Sequence, residues 1–303
     1  MTPGEVNTLR RTTGLANPVC YTKYLPLFAE YTRKRIEHIK NHLVLHIPKA
    51  GGTSLCDLAT SLKKDTPTSN NCWERDHFYP LWCCKNFDER PSIHLVENNN
   101  SCHAFDQTLP KFTMNENYLD YPLCLNERLY SVILREPISR VKSHFKHLNY
   151  IYRDCNRCGR SKTKPSIYQD RLSLGLNSYQ TWALAVGSMS GTPDKVRVVP
   201  RYELLQVAKD TLFQLDYILD PISQSGVCTN VIVSLMMGGD TGLPHSNDGG
   251  RLQGSTKQQH NITEVQYKEM NELDIKLHEF AVKLMELDCE FFMGLNSTKA
   301  ERT

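Results

Sequence analysis

Apolar positions in the first half of this chain gather into short unbroken runs. Leu43 to Ile47 is one, Ser92 to Val96 a second and Leu129 to Leu134 a third. Runs of this length, bounded by polar or turn-forming residues, predict buried strands. Between them the period changes. Leu55, Leu58 and Leu62 share one face of a helix predicted over Thr53 to Lys64. Further helices are predicted over Ile138 to Tyr150, over Tyr179 to Val186 and onward from Glu203, with short strands at Lys195 to Pro200 and Asp216 to Leu219. A basic helix is expected from Phe28 to His42, with Phe28, Tyr31, Ile36 and Ile39 roughly on one side. The most regular pattern comes last: Leu273, Leu277, Phe280 and Leu284 mark one amphipathic helix from Glu264 to Leu287.

The remaining segments are read as connections. Residues 1–27 carry turn formers and no clear period. Residues 65–91 are polar, 98–127 irregular, and 238–261 rich in Gly, Asn, Ser and Gln. Strands that alternate with helices predict an α/β fold with a mostly parallel sheet. Ligands bind such sheets at the carboxyl ends of the strands.

Composition narrows the class. A chain of 303 residues with 40% hydrophobic content can bury a large core. A net charge of +3 is too small to mark a nucleic-acid binder. No apolar run is long enough for a membrane span, and the start, MTPGEVNTLRRTTG, lacks the apolar stretch of a signal peptide. The eleven cysteines would pair in an oxidising lumen and stay reduced in a cytosol. Sequons at Asn99, Asn261 and Asn296 do not decide between the two. The compartment expected is cytoplasmic for a complete chain and the Golgi lumen if a membrane anchor precedes it.

The strand ending at Ile47 runs into Pro48, Lys49, Ala50, Gly51, Gly52, Thr53 and Ser54, and then into a helix. A helix N-terminus offers N–H groups and a partial positive charge, and is an anion site. Two glycines allow close backbone approach, two hydroxyls add donors, and Lys49 adds a full charge. The nucleoside-triphosphatase loop has its lysine after the last glycine; here the lysine comes first. A second segment, LYSVILREPISRVKSHFKH, puts Arg135 just beyond a strand and Ser143 on the helix that follows, with Pro137 suited to its first turn. A guanidinium fork matches phosphate oxygens.

Together, IPKAGGTSL and REPISRVKSHF resemble the two nucleotide-binding motifs of the sulfotransferases that use the sulfate donor PAPS. NSYQTWALAVG, AKDTLFQLDYIL and ELDIKLHEFAVKLME are similar to segments of that family's carbohydrate and membrane-associated branch. The likeness runs roughly from Leu43 to Phe292, and its first two motifs are the specific ones. It implies a three-layer fold, a central mostly parallel sheet flanked by helices, with nucleotide-kinase-like architecture. On this basis residues 1–40 are an N-terminal extension, 41–295 a single sulfotransferase domain and 296–303 a tail.

The resemblance also implies roles. Pro48, Lys49, Ala50, Gly51, Gly52, Thr53 and Ser54 would hold the 5′-phosphosulfate, with Lys49 neutralising charge on the departing oxygen. Arg135 and Ser143 would hold the 3′-phosphate, with Phe145 as the motif's aromatic and Arg251, in the 238–261 loop, as a further contact. Glu97 is the first candidate for the base that takes the acceptor's proton, His94 the second and His103 the third. The donor would be PAPS, the product PAP and the acceptor a hydroxyl, or in second place an amine, of a carbohydrate or small molecule, with no metal required. Two other classes are a nucleotide-dependent phosphotransferase and a non-catalytic PAP-binding protein on the same fold.

One motif stands apart. RDCNRCGRSKTK (153–164) is a basic cluster around Cys155 and Cys158. A zinc site with Cys83 and Cys84 would lack a second CxxC, so a disulfide or plain thiols are expected. The cluster could receive an anionic acceptor or simply be solvated.

Overall fold

A computed structural model describes residues 1–39, 41–47, 50–62, 64, 66, 72, 112–115, 123–144, 177–185, 201–220, 226–237 and 263–300, with side chains to residue 296. The sheet is built on β1 (Asn41–His46), in which every position after Asn41 is buried. An unbroken buried run suits a strand covered on both faces. β1 pairs in parallel with β2 (Phe112–Asn115) on one side and β3 (Arg128–Ile133) on the other. β3 in turn pairs in parallel with β4 (Tyr217–Leu219). Among the described residues the order is β2-β1-β3-β4.

Helices make up most of the rest. In chain order they are α1 (Pro3–Ala16), α2 (Pro18–His38), α3 (Gly52–Ser61), α4 (residues 137–144), α5 (Tyr179–Ala185), α6 (Arg201–Gln214), α7 (Gly226–Met237), α8 (Glu264–Met270) and α9 (Glu272–Ala300). Among the described residues the protein is thus largely helical around a small parallel sheet, an α/β arrangement. Leu277 and Leu284 of α9 join the β-strand core with Val44, Val132 and Ile218. Among the described residues no helix is long and apolar enough to cross a membrane.

The expected strands at β1, β3 and β4 are found within a residue or two of their predicted ends. Those at Ser92 to Val96 and Lys195 to Pro200 lie outside the described residues. β2 falls inside 98–127, where no regular element is expected. Four residues carry too little pattern to announce a strand; Phe112 and Thr113 are chosen by pairing with His42 and Leu43.

Residues 1–27 differ most. Thr2 and Glu5 form a capping box at the start of α1. Asn17 caps α2 at Cys20, so the basic helix begins at Pro18 and ends at His38, not at Phe28 and His42. The helical period of α1 is hidden because Asn7, Arg10 and Arg11 share its buried face with Val6 and two glycines, Gly4 and Gly14. The guanidinium of Arg11 donates to both oxygens of Asp288 on α9, Nε at 3.1 Å and Nη2 at 2.6 Å. Its Nη1 donates to the Leu212 and Leu215 carbonyls at the end of α6. Arg10 meets the same carboxylate at 2.8 Å and lies 4.4 Å from the Phe291 ring centre. Arg35 of α2 pairs with Asp216 at 2.7 Å, and Asp216 also accepts from the Tyr130 N–H in β3. Buried charges persist only when paired and hydrogen-bonded in this way.

The closing helix is two. Its chain breaks at Asn271, whose side chain donates to the Tyr267 carbonyl, and α9 then runs on to Ala300. Disulfides join Cys56 of α3 to Cys72 and Cys228 of α7 to Cys289 of α9. Cys20 is a free thiol.

Candidate anion-binding site

Just beyond β1 the Ala50 N–H donates to the Ile47 carbonyl at 3.0 Å. Gly51 follows with φ 103°, a left-handed conformation that an L side chain resists. It is the N-cap of α3 and contributes no side-chain cap to the first turn. Gly52, the first helical residue, is buried beneath the imidazole of His46. A β-carbon at Gly52 would fall among the ring atoms of His46. Each glycine therefore has its own reason: Gly51 for the backbone angle, Gly52 for the ring above it. Thr53 and Ser54 are half-buried in the first turn of α3.

Arg135 stands two residues beyond the end of β3. The Leu134 N–H donates to the Leu219 carbonyl, so the sheet continues up to that point. Gln180 of α5 then holds the Arg135 peptide from both sides. Its Oε1 accepts from the Arg135 N–H at 3.1 Å, and its Nε2 donates to the Arg135 carbonyl at 3.0 Å. Burial lowers the Arg135 guanidinium from its ordinary pKa, and the Asp220 and Glu136 carboxylates act to raise it. Asp220, just past β4, contacts His278 of α9 at 3.2 Å.

α4 starts at Pro137 and is capped by Glu136, which accepts from the Ile138 N–H at 2.9 Å and the Ser139 N–H at 2.6 Å. Burial pushes the Glu136 carboxyl up, but these two N–H donors, the Ser139 side chain and the His278 charge together leave it below its usual value. Ser143 lies half-buried on α4. Arg140 on the same helix is fully buried, 5.6 Å from the Tyr179 ring centre.

The two segments sit side by side. His46 and Ile133 are register partners on adjacent parallel strands, so the Gly51 turn and Arg135 both leave the carboxyl edge of the sheet. β1 leads on to β2 on one side and β3 to β4 on the other. Chains that diverge in this way open a crevice above the sheet, the usual place for a ligand in such folds. Of the sequence-predicted residues, Ala50, Gly51, Gly52, Thr53, Ser54 and Arg135 follow this edge in the chain, and Ser143 lies further along α4. Pro48, Lys49, His94, Glu97, His103, Phe145 and Arg251 lie outside the described residues, as do Cys83, Cys84, Cys155 and Cys158.

His46, Gln180, Asp220, Asp274 and His278 are additions that the sequence does not single out. The one local hint is positional: Asp216 and Asp220 are carboxylates bracketing an apolar strand, in a place where an unpaired charge would be costly. A scan against protein-family models finds no match for the chain, and no curated protein matches it.

Proposed function

We propose that the protein is a PAPS-dependent sulfotransferase of three-layer, nucleotide-kinase-like fold, moving a sulfuryl group to a hydroxyl of a carbohydrate or small molecule. The observation that carries this reading is the pairing at the β1/β3 carboxyl edge: a glycine-built helix start on one strand and a buried-backbone arginine on the next. PAP has phosphates at two ends of its ribose, and two adjacent anion grips answer that shape. The first is a helix start whose N-cap, Gly51, supplies no side-chain cap, so that the first-turn N–H groups of α3 can serve an anion. The second offers the planar fork of Arg135, with Ser143 in reserve as a hydroxyl donor.

In the transfer, the acceptor oxygen bonds to sulfur while the bond from sulfur to the bridging phosphate oxygen breaks. The bridging oxygen takes the bonding electron pair, and Lys49 offsets its charge. The first-turn N–H groups of α3 and the Thr53 and Ser54 hydroxyls hold the 5′-phosphate. The acceptor's proton passes to a base, for which Glu97 stands first, ahead of His94 and His103. No metal enters this scheme.

A phosphotransferase of the nucleoside-triphosphatase type would place lysine directly after the glycines, and that position is Thr53. A non-catalytic PAP-binding protein would have no use for Lys49 at the leaving oxygen. Calorimetric titration with PAP tests the reading, followed by an acceptor screen with labelled PAPS. Binding of PAP and transfer of label support it. A folded protein that ignores PAP and is stabilised by magnesium-ATP favours the phosphotransferase, and PAP binding without transfer favours the binding protein.

A further inference from the structure

Arg135 is held by more than its own strand. Gln180 is 1% exposed and spends its whole amide on the Arg135 peptide, one hydrogen bond to each side. Gln180 is itself fixed. Its N–H donates to Asp274 Oδ2 at 3.1 Å, while Asp274 Oδ1 accepts from the Thr181 N–H at 2.7 Å and the Thr181 hydroxyl at 2.8 Å. Asp274 is fully buried on α9. A continuous polar chain thus runs from α9 through the start of α5 to the residue beyond β3. A second connection comes from His278, four residues along α9, which meets Asp220 just past β4, and the Asp220 charge acts on the Arg135 guanidinium.

Such an arrangement exceeds what fold stability asks of an edge peptide. A backbone N–H and C=O just past a strand can be satisfied by water. Satisfying both with one buried, anchored amide sets the Cα position and hence the reach of the guanidinium. For a bidentate contact, small displacements matter, because the fork must meet two oxygens at once.

We infer that Gln180, anchored by Asp274, is a positioning residue for Arg135 and thereby sets selectivity for a nucleotide bearing a 3′-phosphate. This rests on the sulfotransferase reading of the site. Gln180 touches no ligand in this scheme; it acts only through Arg135.

The test is a calorimetric cycle with two probes, PAP and adenosine 5′-phosphate, which lacks the 3′-phosphate. The proteins are the wild type, Gln180→Met, Arg135→Ala and the double variant, each checked for a native thermal transition. Gln180→Met should weaken PAP about tenfold, the loss of two hydrogen bonds to one anchored peptide, and leave adenosine 5′-phosphate unchanged. The double variant should bind PAP no more weakly than Arg135→Ala alone. Equal losses for both nucleotides, additive losses in the double variant, or no loss would each overturn the inference while leaving the sulfotransferase reading intact. A wild type that binds neither nucleotide overturns both. Should Gln180→Met fail to fold, Gln180→Glu keeps the acceptor for the Arg135 N–H and removes the donor to its carbonyl. It should show the same selective loss of PAP, and a loss shared by both nucleotides would count against the proposal.

Discussion

The imidazole of His46 lies over Gly52 so closely that the position has no room for a β-carbon. The last residue of β1 and the first of α3 are thereby locked together across the turn that carries Gly51. Gly52→Ala should destabilise the protein by about 1–3 kcal/mol, the usual cost of overpacking, and abolish PAP binding. His46→Ala in the same background should restore part of the stability, since the nearest clashing atoms belong to that ring. Denaturant melts of the two single variants and the double variant measure that coupling.

In the proposed reaction Lys49 bears on the chemistry more than on nucleotide binding. Lys49→Ala should lower kcat by about a hundredfold to a thousandfold, the usual effect of losing one group that stabilises developing charge. PAP affinity should fall much less. Steady-state kinetics beside calorimetry separate the two, and a loss confined to affinity would remove Lys49 from the chemistry.

The acceptor's base is tested by Glu97→Gln, His94→Ala and His103→Ala. The true base should cost about a hundredfold to ten-thousandfold in kcat and erase the acid limb of the pH–rate profile. Glu97 is expected to be that residue, with near-normal rates for the two histidine variants.

Asp288 links acid stability to the N-terminal helices. Burial pushes its carboxyl up, but Arg11 and Arg10 more than offset this and leave it below its ordinary value. A carboxyl depressed in the folded state stabilises the protein at pH above its unfolded value. That contribution is lost as pH falls below about 4 and through the folded value. Asp288→Asn should cost about 3–5 kcal/mol at neutral pH, because it leaves two buried guanidinium groups without their carboxylate. It should also flatten the acid limb of stability in melts run from pH 7 to pH 3.

The Cys56–Cys72 disulfide ties α3, which carries the glycine turn, to the end of β2, where the Met114 N–H donates to the Cys72 carbonyl. Its partners are separated by 16 residues in sequence, and closing a loop of that order is worth about 3 kcal/mol. Cys56→Ser should lower the melting temperature under non-reducing conditions, and dithiothreitol should have little further effect at that site. A wild type whose melting is indifferent to reductant would mean that this bridge is not formed in solution.

Local chemistry is legible where neighbouring residues act together. The β1 run and the paired glycines announce a strand that turns directly into a helix, and the LYSVIL run announces the strand just before Arg135. The N-terminal helices are far less legible. Their buried residues mix Val6, Tyr21 and Phe28 with Asn7, Arg10, Arg11 and Arg35, and a hydrophobic period registers poorly a face on which polar side chains hold so many of the buried positions. β2 is missed for another reason: Phe112–Asn115 is short, and its identity as a strand comes from β1 beside it.

What the sequence determined by itself is the character of the turn after β1. Gly51 and Gly52 are required by a backbone angle and by a ring only six residues back, and contacts this local are written in neighbouring letters. The tertiary structure alone decided how Arg135 is held. Gln180 lies 45 residues further along, and Asp274 a further 94. Hydrogen bonds between such distant residues leave no period in the chain. They exist because the parallel sheet brings the ends of β1 and β3 to one edge, and because α5 and α9 close over it with their polar groups already paired.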